Sequence, residues 1–338
     1  MIGNIGFIDV SGYLMSGKSA VSNLLQEVRG VSSPDQEDDF ELIRIQGGIA
    51  DLEEALVRRW SIVRSDAAIR RFKKVVNSLG ARPKGLERLW RSGSGYNNLY
   101  PKFSIESRLL IERLVKNSCR IEWPFPIMDG SISPVDIFLE KLERKLFKHH
   151  VLWPHVDFYW SDGECFYEAV RNFIENIFYS RYGSDAKMVV INNALEPYCP
   201  QDYFKFFHKI KSIVVERDPR DIFIAAKNYA NSDSKYRDVF AGITSANNID
   251  LFIERIRIQR KKISKESHPN VLRISFEDLV LNYETTKCMI FDFLGLREAD
   301  HVRRCEFFNP SESLRSCNMW HTYEDQRSMR KIAEELSL

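Results

Sequence analysis

The eight residues Gly12-Tyr13-Leu14-Met15-Ser16-Gly17-Lys18-Ser19 constrain this chain more than any other stretch. They satisfy G-x-x-x-x-G-K-[ST], a loop whose backbone N–H groups cradle phosphate oxygens. An apolar run with strand character precedes them (Ile5 to Val10), and a helical pattern follows (Ala20, Val21, Leu24, Leu25, Val28). Strand, glycine loop and helix in that order are the context the motif needs. Glycine lets the backbone curl so that several amides face one anion, and the new helix adds the positive end of its dipole. Lys18 is expected on the outer phosphate or sulfate oxygens, and Ser19 offers its hydroxyl to a ligand oxygen or a metal. The loop implies a phosphorylated nucleotide but not the reaction that follows.

The rest of the chain extends this into an α/β pattern. Phe40 to Ile45 reads as a second strand, ended by Gly47-Gly48. Lys187 to Asn192 and Ser212 to Arg217 read as strands buried on both faces, and Val271 to Ser275 as a last strand. The expected fold is a mostly parallel, doubly wound sheet of about five strands, P-loop NTPase-like, with a helical insertion. The nucleotide-binding core is placed in 1–48 and 185–338, and the insertion, the expected acceptor side, in 49–184. Within the insertion, Leu52, Leu56, Trp60 and Val63 repeat at helical spacing, as do Ile69, Phe72, Val76 and Leu79. Further helices are expected at 105–115 and 135–147, with Trp153-Pro154-His155 and Tyr159-Trp160 forming an aromatic linker. Lys148-His149-His150 closes the second of these; adjacent histidines do not share a helix face, so no metal site is expected.

Composition excludes more than it selects. The chain has 338 residues and a formal charge of +2, so bulk charge argues for neither nucleic acid nor membrane. No run of 18 apolar residues predicts a span, and the N-terminus lacks signal-peptide character. The six cysteines form no C-x-x-C pair, which fits reduced thiols and a cytoplasmic location. No oligomeric interface is legible.

Acidic residues cluster between Ser32 and Asp39 (Asp35, Glu37, Asp38, Asp39). They either face substrate or form a solvated loop, and the solvated loop is the expected role. The second informative stretch is Ile213-Val214-Val215-Glu216-Arg217-Asp218-Pro219-Arg220-Asp221. Arg217 leaves a buried strand at its carboxyl end, where open sheets bind ligands. Its planar fork suits a phosphate. Asp218 and Pro219 are a cap and a first-turn residue for the following helix.

At this point the chain resembles the nucleotide-dependent sulfotransferases. In that family an N-terminal P-loop-like segment is followed by an apolar strand running into Arg-Asp-Pro-Arg-Asp. The resemblance extends to Phe276-Glu277-Asp278-Leu279 and Phe293-Leu294-Gly295-Leu296, and weakly to Trp320-His321. It covers residues 5–28 and about 187–296. It implies 3′-phosphoadenosine 5′-phosphosulfate as donor. Gly12, Ser16, Gly17, Lys18, Ser19 and Ala20 would hold the 5′ end and Arg217 the 3′-phosphate. Transfer would be to a hydroxyl or amine of a small-molecule or saccharide acceptor. Lys18 is expected to stabilise charge, with Glu41 or His155 as base. The family's lysine before the Ser-Gly pair is Met15 here, and its serine eight residues after the arginine is Ala225, so Lys227 or Arg315 is expected to supply that contact. The competing reading is a kinase using ATP and Mg²⁺, with Asp218 as metal ligand; a non-catalytic nucleotide-binding protein is the third.

Overall fold

Among the described residues, alternation of buried apolar runs with amphipathic stretches builds seven strands. These are β1 (Gly6–Gly12), β2 (Val31–Ser32), β3 (Asn117–Glu122), β4 (His155–Trp160), β5 (Met188–Asn192), β6 (Ile210–Glu216) and β7 (Val271–Ser275). The helices used below are α1 (Ser19–Gln26), α2 (Ile62–Gly80), α3 (Phe103–Leu114), α4 (Phe166–Tyr182), α5 (Pro219–Ala230), α6 (Phe276–Leu281) and α7 (Tyr283–Leu294). This computed structural model describes residues 5–34, 38–82, 93–128, 155–183, 186–234 and 237–338, with isolated positions at 138, 139, 142, 145 and 153. Asp35, Glu37, most of the helix expected at 135–147, Lys148-His149-His150 and Pro154 lie outside the described residues.

The chain divides into two compact units. One comprises Met1–Glu41, Ala186–Phe204 and His208–Leu338; the other comprises Leu42–Asp185 and Lys205–Phe207. The first holds a five-stranded sheet in the order β2-β5-β1-β6-β7, with every adjacent pair parallel. The expected α/β fold with a mostly parallel sheet is therefore the observed one. β1 is central: Val10 registers with Asn192 on β5, and Gly12 with Val215 on β6. One side of the sheet packs Ile8, Val10, Val190, Ile213 and Val215 against Val21, Leu24 and Leu25 of α1 and Ile290, Phe291 and Leu294 of α7. Strands with both faces covered need apolar residues at every position, as seen in Ile213-Val214-Val215, all wholly buried.

The second unit packs α2 with α3, and α3 with α4, and carries an antiparallel pair, β3 with β4. Residues 155–160, expected as an aromatic linker, are thus a strand. The ladder with β3 decides this, with His155 opposite Glu122 and Trp160 opposite Asn117, while Phe158 and Tyr159 are both buried.

One more expectation is corrected, and another is refined. Phe40–Ile45 forms no strand; Glu41–Ile43 is a 3₁₀ turn, and the edge strand is β2. Leu42 and Ile43 are both fully buried, and consecutive buried side chains on one side of the backbone suit a helical turn rather than a half-buried strand. The helical pattern read over 49–79 is divided by a break at Arg59–Ser61. Ser61 caps α2 by accepting from the Arg64 N–H, and Trp60 turns outward, its indole donating to the Ser161 carbonyl at 2.7 Å. Among the described residues no helix is long and apolar enough to cross a membrane.

Candidate active site

Three parallel strands deliver their carboxyl ends to one place. β1 enters the glycine loop, β5 on one side exits at Asn192-Asn193, and β6 on the other exits at Arg217. Open sheets bind ligands in this crevice.

The loop is shaped by its glycines. A Cβ at Gly12 would lie 2.3 Å from Ser16 Oγ and 2.9 Å from the Val215 carbonyl. Gly17 has φ of +83°, and a Cβ there would strike the Phe276 ring at 2.4 Å. Met15, at φ 63°, takes the left-handed conformation without being glycine. Ser16 Oγ is buried and has no hydrogen-bond partner among the described residues. A buried hydroxyl beside the free amides of a helix start fits a bound anionic oxygen. Ser19 and Ala20 open α1, which begins just beyond Lys18. The residues present therefore fit a phosphate or phosphosulfate.

Lys18 turns to an unexpected partner. Its Nζ lies 3.1 Å from Asp39 Oδ1, and the other oxygen of that carboxylate accepts from Asn193 Nδ2 at 2.7 Å. Asp39 is held here by a parallel bridge to Asn192, and Phe40 N–H donates to the Asn192 carbonyl at 3.0 Å. The acidic link thus ends on the site at Asp39 rather than wholly in solvent. The sequence signal was an acidic residue directly before a buried aromatic; the pairing across 21 residues was not legible. Glu41 follows two residues later in the 3₁₀ turn, not on a strand.

Arg217 lies against the loop. Its Nη1 donates to the Met15 carbonyl at 2.9 Å and its Nη2 to the Ser316 carbonyl at 2.5 Å, while its guanidinium sits over the Phe276 ring at 4.9 Å. Burial pulls its pKa down, against the nearby carboxylates of Asp221 and Glu277, which pull it up. Its Nε is buried and unpartnered among the described residues. Asp218 caps α5, accepting from the Arg220 N–H at 2.8 Å, and also holds the Arg220 guanidinium. Arg220 stacks on Trp320 at 3.5 Å, and the Trp320 N–H donates to buried Asp221. Phe276 is the residue that sequence reasoning underrated: its ring supports Arg217 and occupies the space that glycine leaves at position 17.

Arg315 shares a cavity of about 280 Å³ with Gly17, Ser19 and Ala20, so an exposed cation faces the start of α1. Lys227 sits in the last turn of α5 with its ammonium over Phe223, and it lines neither that cavity nor the smaller one beside Arg217 and Tyr13. His155 belongs to the other unit, where it opens β4 opposite Glu122.

Fold and loop define the class: an α/β chain with a glycine loop at the centre of a parallel sheet. Among solved structures it is similar to the sulfotransferase domain of the curacin biosynthetic pathway (13% identity, 98% of each chain, TM-score 0.41). It is also similar to the sulfotransferase domain of the Synechococcus olefin synthase (14% identity, 99% of this chain and 95% of that one, TM-score 0.40). A third is a retinol dehydratase solved with androsterone and the inactive cofactor PAP (14% identity, 98% and 79%, TM-score 0.37). No family model and no curated protein sequence matches the chain.

Proposed function

We propose that this chain is a sulfotransferase-like enzyme that moves a sulfuryl group from 3′-phosphoadenosine 5′-phosphosulfate to a hydroxyl or amine. One observation carries the reading. Arg217 bonds both to the glycine loop and to the segment bearing Arg315, so the three basic or amide-rich elements that a doubly phosphorylated donor needs meet at one end of the sheet. The motif order of the sequence supports the same donor.

In this reading Gly17 and Ser19 hold the 5′ end with their backbone amides and Ser16 and Ser19 with their hydroxyls, Ala20 closes the loop by donating its N–H to the Gly17 carbonyl, Lys18 faces the transferring group, and Arg217 with Arg315 takes the 3′-phosphate. Lys18 exchanges Asp39 for the sulfuryl oxygens. The carboxylate so released accepts the proton of the attacking hydroxyl, while the sulfur–oxygen bond to the 5′-phosphate breaks. Asp39 is preferred as base on its bond to Lys18; Glu41 is the next candidate, and His155 the third. The acceptor, a small molecule or saccharide, is assigned to the helical part, 49–184.

The kinase reading is not favoured, because Asp218 is already spent on the α5 cap and on Arg220. Calorimetric titration separates the two. 3′-Phosphoadenosine 5′-phosphate should bind in the presence of a chelator. Arg217→Ala or Arg315→Ala should weaken it about tenfold or more, the loss of one charged contact. Asp39→Asn should retain that binding and lose transfer of radiolabelled sulfuryl group. Binding of ATP with Mg²⁺ in preference to the 3′-phosphorylated nucleotide would overturn the assignment.

A further inference from the structure

We infer that the helical unit carries a separate binding site for an organic anion: a carboxylate or sulfo group on an apolar body. A cavity of about 670 Å³ lies wholly within that unit, between α2, α3 and Tyr159 of β4. This is the volume of a small-molecule pocket.

Most of its lining is polar, and two of those groups, Lys73 and Ser107, are incompletely satisfied. Lys73 reaches in from α2, its Nζ 2.6 Å from the Tyr159 hydroxyl and 4.7 Å above the Tyr159 ring. Among the described residues no carboxylate pairs with it. The other cations differ: Lys116 lies 3.1 Å from Glu164 and 3.4 Å from Asp162, and Arg108 faces Glu112 at 3.9 Å, all with half or more of their side chains exposed except Asp162, which is slightly less so. Lys73 is therefore the cation left for a ligand. Ser107 supplies the second, independent signal. It lines the cavity from α3, is 2% exposed, and its Oγ has no hydrogen-bond partner among the described residues. A buried hydroxyl is seldom left unpaired, so one placed on a cavity wall points to a ligand atom.

Beside the polar Asn77, Ser104, Asn117 and Ser118, the wall has an aliphatic strip: Val76 from α2, Ile111 from α3 and Val115 just past its end. One uncompensated ammonium and one free hydroxyl, set against aliphatic side chains, recognise a singly charged head on an apolar body. Glu112 on the rim disfavours a polyanion such as a nucleotide.

Titration calorimetry of the whole chain with naphthoate, naphthyl sulfate and neutral naphthol tests this. At least one anion should bind about tenfold more tightly than naphthol, and the tighter of the two identifies the head group. Lys73→Met should reduce the anion to the affinity of naphthol. Ser107→Ala, which changes volume little, should weaken the anion severalfold while far-ultraviolet circular dichroism and binding of 3′-phosphoadenosine 5′-phosphate stay as in the parent. Equal binding of naphthol and both anions would overturn the site. So would failure of both anions to bind at millimolar concentration, or unchanged anion affinity in folded Ser107→Ala and Lys73→Met.

Discussion

Gly17 shows how one residue sets the site. Its positive φ turns the chain into the start of α1, and its missing Cβ makes room for the ring that also supports Arg217. Gly17→Ala meets both penalties at once: a left-handed conformation for an L-residue and a collision with Phe276. The expected cost is on the order of 2–4 kcal/mol in urea unfolding, with loss of nucleotide binding that shortening Phe276 restores only in part, because φ remains unfavourable. Were Gly17→Ala as stable as the parent, the geometry of the loop would have to differ from that described. Lys18 is the complementary case. Its identity was legible as part of the motif, whereas its partner Asp39 was not, because nothing local joins two residues that only the folded sheet brings together.

At the scale of the element, β1 carries an ionisable side chain where a buried strand should have none. Asp9 is fully buried, between apolar Ile8 and Val10, and accepts from the hydroxyls of Ser11 and Ser212 and from the Leu195 N–H. Burial pushes its carboxyl up to about 6, and those donors pull it back only in part. The native state thus holds a proton that the unfolded chain, near 3.8, has released. Stability from Asp9 is full at low pH and is lost as pH rises through about 6. Unfolding free energies of the parent and Asp9→Asn should therefore diverge with pH: the parent's advantage falls by roughly 1 kcal/mol between about pH 5 and pH 7. A difference independent of pH would show that Asp9 stays ionised throughout. The strand itself was readable from its apolar run, but the polar cluster inside it depends on Ser212 of the neighbouring strand. The second expected strand failed for a related reason. Phe40 to Ile45 has strand-forming residues, yet the sheet edge beside β5 is taken by β2 and by the bridge at Asp39, and the apolar side chains bury through a 3₁₀ turn instead.

Across the whole molecule, the C-terminal segment is fastened to the far end of the helix that follows the loop. Glu27 is buried at the end of α1, with Oε2 2.6 Å from His301 Nε2 and Oε1 accepting from the N–H groups of Phe307 and Phe308 at 2.9 and 2.8 Å. That anchor precedes Arg315 and Ser316, which close on the loop and on Arg217. Glu27→Ala strands the imidazole and two amides, with an expected cost on the order of 3 kcal/mol. It should also weaken 3′-phosphoadenosine 5′-phosphate binding although Glu27 touches no ligand. Hydrogen exchange at residues 301–316 reads this directly, and unchanged protection there would refute the anchoring role. What the sequence by itself determined is local: the glycine loop between strand and helix, the apolar runs of four of the five parallel strands, the Asp218-Pro219 helix start, and thereby the α/β class. Each follows from periodicity or backbone preference within a few residues. Only the tertiary structure decided that Asp39 meets Lys18, that Phe276 underlies Arg217, that Arg315 rather than Lys227 faces the loop, and that residues 155–160 form a strand. Those contacts join residues from 21 to more than 250 positions apart, and chain closure and core packing, not local propensity, select them.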